Sequence, residues 1–127
     1  NMLNNSPLKQ SPNNQWKNTD TIAQIIIEKS NGQNYNLALL ANTYDEHYRF
    51  ALERRKSNLV EIDPQQPETI TDQLFVICEI QCQPINNPQT EIARFGWAQV
   101  SDAFKDEKTG FQIFKLTHLN PNPIAIN

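Results

Sequence analysis

Tyr35-Asn-Leu-Ala-Leu-Leu-Ala-Asn-Thr-Tyr-Asp-Glu-His-Tyr-Arg-Phe-Ala-Leu-Glu-Arg-Arg-Lys56 changes its hydrophobic period once, and that change decides the fold. Residues 35–41 are almost continuously apolar, the pattern of a strand covered on both faces. From Tyr44 the period becomes helical. Tyr44, Tyr48, Ala51, Leu52 and Arg55 fall on one side, with His47 and Phe50 flanking them. Thr43 and Glu46 have capping-box spacing. Arg54, Arg55 and Lys56 sit where cations complement the helix dipole. A short run, Leu59–Ile62, closed by Asp63-Pro64, is the next strand candidate. Strand 35–41, helix 44–56 and strand 59–62 then form a Rossmann-like βαβ unit.

The rest of the chain extends this unit. Upstream, a helix is expected from Asp20 to Lys29. Thr19 or Asp20 can cap it. Ile22, Ala23, Ile25 and Ile26 make its stripe, and Asn31-Gly32 is its stop. Downstream, residues 63–72 form a polar loop with a helical turn after Pro67. Gln73–Ile80 is a second buried strand. Residues 81–90, punctuated by Pro84 and Pro88, form a loop. Phe95–Phe104 and Phe111–Leu119 are strands joined as a hairpin through residues 105–110. The alternation Phe111, Ile113 slips to Phe114, Leu116, which suggests a bulge in the last strand. The expected fold is α/β: a small mixed sheet with a Rossmann-like half, helices packed on it, and a C-terminal antiparallel hairpin.

Composition bounds the function. The 127 residues suit one domain. Mean hydropathy is -0.64, and sixteen Asn and twelve Gln account for much of that polarity. Residues 1–15 are polar enough to be a linker or tail, residues 16–119 form the domain, and residues 120–127, with two prolines, form a C-terminal tail. The net charge of -3 and the scattered basic residues argue against a nucleic-acid interface. No apolar run approaches the ~20 residues of a membrane span. Asn1 ahead of Met2 suggests a piece of a longer protein, so this observation does not extend to a parent chain.

Candidate chemistry is sparse. Cys78 and Cys82 are four residues apart, roughly 13 Å along a straight strand. A disulfide needs Cα atoms within about 7 Å, so a bridge requires the chain to turn at Glu79–Gln81. The alternative is two free thiols, one buried and one at the strand mouth. Asp45, Glu46 and His47 place two carboxylates beside an imidazole, a set that acid/base chemistry could use. The plainer reading is helix-start charge meeting the dipole. Trp97, after Gly96, is either a ligand platform or a core aromatic, and the second is the commoner case. His118 has no evident partner. No metal-ligand spacing, Gly-rich phosphate loop or nucleophile elbow is present, so no cofactor and no catalytic residue are assigned.

Several segments taken in order resemble one family. They are Asn36-Leu-Ala-Leu-Leu-Ala-Asn42 with Tyr48-Arg49-Phe50, Asp72-Gln-Leu-Phe-Val-Ile-Cys-Glu79, Cys82-Gln-Pro-Ile-Asn-Asn-Pro88, Glu91-Ile-Ala-Arg-Phe-Gly96 and Lys115-Leu-Thr-His118. Together they resemble the C-terminal extracytoplasmic domain of bacterial membrane glycosyltransferases of the protein O-mannosyltransferase and aminoarabinose-transferase type. The resemblance spans roughly residues 16–119. It implies a parent enzyme that moves sugar from a polyprenyl-phosphate carrier, with its catalytic residues in the membrane portion. This domain would cap the active site or help hold acceptor. Its partners would be that membrane portion and a glycan or lipid-linked sugar, and its location the periplasmic side. That placement would favour a Cys78–Cys82 bridge. Two other readings are a free-standing small-molecule or protein-binding module, and a small enzyme using Asp45, Glu46 and His47.

Overall fold

The computed structural model describes residues 12–40, 45–85 and 87–119; side chains of residues 12–18, 45 and 46 are outside the description. Two apolar strands run parallel: β1 (Asn36–Leu40) at one edge of the sheet and β2 (Gln73–Cys78) inside it. Leu37 pairs with Phe75 and Leu39 with Ile77. β4 (Gln112–His118) lies antiparallel to β2, and β3 (Ala98–Lys105) antiparallel to β4, giving the order β1-β2-β4-β3. The expected mixed α/β sheet with a C-terminal hairpin is what the chain forms.

The two parallel strands alternate between two covered faces. On the first face, Tyr35, Leu37, Phe75, Ile77 and Ile113 pack against two helices, α1 (Pro12–Ser30) and α2 (Asp45–Arg54). The helices supply Ile22, Ala23 and Ile26, and Tyr48, Ala51 and Leu52. The Tyr35 and Phe75 rings meet edge to face at 5.5 Å, a favoured aromatic geometry. Arg54 and Arg55 tie α2 to Asp20 of α1 at 2.6 and 3.8 Å. On the second face, Ala38, Leu74, Val76, Cys78 and Leu116 pack against α3 (Thr90–Phe95) and the loop before it. This two-sided burial is the reason both strands are apolar at every position except Asn36 and Gln73.

Those two polar exceptions are satisfied. The Asn36 amide donates to the Val60 and Thr69 carbonyls at 2.8 and 2.9 Å, and its oxygen accepts from the Thr71 N–H and hydroxyl at 2.8 and 3.0 Å. It therefore stitches residues 60–71 to the edge of the sheet. Gln73 donates to the Ser30, Gln33 and Asn34 carbonyls at 3.1 to 3.4 Å, holding the turn that ends α1. Buried amides are tolerated only with such partners.

Four expectations change. First, α1 begins at Pro12, inside the stretch read as a tail and eight residues before Asp20. Proline's fixed φ suits the first helical position, and no breaker interrupts the polar run that follows. Second, residues 59–62 form a single parallel bridge, Tyr35 with Leu59, built from Tyr35 N–H to the Asn58 carbonyl and Val60 N–H to that of Tyr35. The βαβ unit is completed by β2 instead, whose six apolar or sheet-buried residues fill both faces where Leu59–Ile62 could not. Third, Thr90–Phe95 is helical, and the strand expected from Phe95 starts at Ala98. Fourth, the bulge lies in β3, between Val100 and Asp102. There the Ser101 hydroxyl donates to the Lys115 carbonyl at 3.1 Å.

Candidate functional site

Phe95-Gly96-Trp97 takes the chain from the second core to the surface. Phe95 is buried and stacks on His118, with ring centroids 4.0 Å apart and planes 11° from parallel. The imidazole Nε2–H donates to the Thr71 carbonyl at 2.8 Å, so His118 is a satisfied packing residue. Gly96 then adopts φ 94°, ψ -157°, a region essentially reserved for glycine. The next aromatic lies outward: Trp97 is 73% exposed. The core reading of Trp97 is therefore overturned. Its carbonyl accepts the Leu119 N–H at 3.0 Å, so the backbone beneath the indole belongs to the sheet.

Trp97 borders a cleft of about 490 Å³, within the usual range for small-molecule sites. Ile92, Ala93 and Gly96 contribute from α3 and its end, Ala98 from β3, and Ile85, Asn87 and Pro88 from the loop. Successive ties hold that loop. Cys78 and Cys82 are joined by a disulfide, with Cα atoms 6.0 Å apart; the chain bends through residues 79–81 between them. Asn87 donates to the Gln83 carbonyl at 2.8 Å and accepts from Gln89 N–H at 2.9 Å. Gln89 in turn caps α3, accepting the Ile92 N–H at 3.0 Å. Cys82 and Ile85 pack into the second core beneath. The cleft wall is thus tied to β2 covalently and to α3 by hydrogen bonds.

The other singled-out residues do not join this site. Asp45 and Glu46 open α2, but their side chains lie outside the described residues. His47 is half-buried on the same helix, which packs on the opposite face of the sheet from the Trp97 cleft. Nearby, the buried Tyr48 hydroxyl donates to the Glu79 carboxylate. Burial, then the Glu79 bond and charge, pushes this phenol far above its ordinary range. Burial likewise pushes Tyr35 up to about 12, opposed in part by its bond to Ser57. Neither phenol is an acid or base near neutrality. Among the described residues no group of three or more His, Cys, Asp or Glu could hold a metal, and no helix is long and apolar enough to cross a membrane.

Sequence reasoning missed α3 and the cleft that it shapes. The usable signals were slight: Ile92 and Phe95 at helical spacing, Glu91 in the first turn, and Gly96 at the stop. Comparison with known proteins adds no assignment: no protein-family model matches the chain, and neither a curated protein nor a solved structure is significantly similar to it.

Proposed function

We propose that this chain is a non-catalytic extracytoplasmic domain of a membrane glycosyltransferase that draws sugar from a polyprenyl-phosphate carrier. Its part is to help hold acceptor or to cap the active site. The observation that carries the reading is the Cys78–Cys82 disulfide at the root of the cleft loop, since such bonds persist in oxidising compartments. The ordered resemblance of residues 36–50, 72–96 and 115–118 to that domain type supports it. Thiol titration of denatured protein isolated from its source, alkylated at lysis, tests the placement: no reactive thiol before reductant and two after are expected. The gene should encode several apolar segments of ~20 residues in the same reading frame. Two free thiols, or a frame without such segments, would overturn the proposal. A second reading, a free-standing binding module, is favoured by the Trp97 cleft and would survive that result.

A further inference from the structure

We propose that the Trp97 cleft is a carbohydrate subsite in which a neutral pyranose ring lies against the indole. Three observations carry this. The indole is 73% exposed, although Phe95, two residues earlier, is buried. Gly96 between them, at φ 94° and ψ -157°, holds a backbone conformation that a residue with a side chain rarely adopts. A glycine-only conformation beside a large aromatic turned into water leaves that ring available for a ligand.

The cleft also selects what can cover the indole. Ala93, Gly96 and Ala98 line it together with Trp97, and Ile85, Pro88 and Ile92 complete an apolar wall. Among the described residues no Lys, Arg, Asp or Glu lines it, which disfavours an ionic ligand. Its polar side chain is the Asn87 carboxamide, which keeps one N–H and one oxygen lone pair beyond its bonds to the Gln83 carbonyl and the Gln89 N–H. That group can donate to and accept from hydroxyls. A pyranose has a C–H face for the electron-rich ring and a hydroxyl rim for such a carboxamide. The loop that carries Asn87 and Pro88 is already braced by the disulfide and by Gln89, so little ordering opposes binding.

This site deepens the proposed function, and rests on it only for treating the sugar as part of a transferase's acceptor or product. The binding itself is read from the cleft. The test is an amide and indole N–H chemical-shift titration of the 127-residue chain with mannotriose, cellotriose and chitotriose at millimolar concentrations. At least one should shift the Trp97 indole N–H and the amides of Ala93, Gly96 and Ala98. Trp97→Ala should weaken that binding by roughly tenfold or more while the circular dichroism stays unchanged, and Trp97→Tyr should retain part of it. Silence with all three glycans overturns the proposal. So does an undiminished response in Trp97→Ala, or saturation of the same residues by a proline-rich peptide when the glycans are silent. Glycan binding by a chain with free thiols and no membrane segments in its gene would remove the transferase reading and leave this subsite standing.

Discussion

On one face of the sheet, helices of 19 and 10 residues bury Tyr35, Phe75 and Ile113. On the other, a six-residue helix and a disulfide-closed loop cover Leu74, Val76 and Leu116. The first cover is thick and its polar contacts lie at its rim, as with Arg54 and Asp20. The second is thin and relies on local ties: a covalent bond, the Asn87 braces and the Gln89 cap. Apolar burial scales with area, so the two-helix face carries more of the stability. The thin face, freed from that role, carries the cleft and the exposed indole.

The largest expected effect lies on the helical face. Phe75→Ala removes a fully buried ring that touches Tyr35 and should destabilise the fold by about 3–5 kcal/mol, read from urea unfolding. A loss no larger than that of Trp97→Ala would erase the contrast between the faces. Reducing Cys78–Cys82 comes next, since its small loop is worth roughly 2 kcal/mol on chain-entropy grounds. Hydrogen exchange should show lost protection in residues 79–95 with α1 and α2 little changed; uniform loss would mean that the two faces are not separable.

The tyrosines of the helical face give an alkaline test. Tyr35 is raised from 10.0 to about 12 in the fold, and Tyr48 is raised further. A raised folded pKa means stability that is full below the unfolded value and lost as pH climbs through the folded one. Stability should therefore hold to about pH 10 and decline between 10 and 12. Tyrosinate absorbance of the native chain should lag that of the unfolded chain over the same window; coincident curves would contradict the burial. The smallest effect is predicted for Trp97→Ala, within about 0.5 kcal/mol. A larger loss would show that the indole supports the fold.

Much of the architecture could be read locally. The runs Leu37–Leu40 and Leu74–Cys78 are apolar on both faces, and only a doubly covered strand needs that; the second strand ends at Cys78, two residues before the expected Ile80, where Glu79 and the exposed Ile80 leave the sheet. The helical spacing of Tyr48, Ala51 and Leu52 marked α2 correctly. The hairpin followed from its flanking patterns and the Gly110 turn, closed by Asp106, which accepts from the Thr109 hydroxyl at 2.7 Å. The short elements were harder. α3 has one turn and a half, so its period barely repeats. The 59–62 segment has strand composition but only one bridge, because Asn36 takes its Val60 carbonyl and draws the following residues toward Thr71.

The sequence by itself determined the apolar strands, the period of the helices, the glycine at 96 and the cysteine spacing that demands a turn. These depend on residues close together in the chain. Tertiary structure decided that β2 rather than 59–62 completes the parallel pair, that α3 covers the second face, and that Trp97 points into water while Phe95 points inward. Each of those depends on competition for buried area between segments far apart in sequence. A Phe-Gly-Trp triplet is written the same way whichever ring the core accepts.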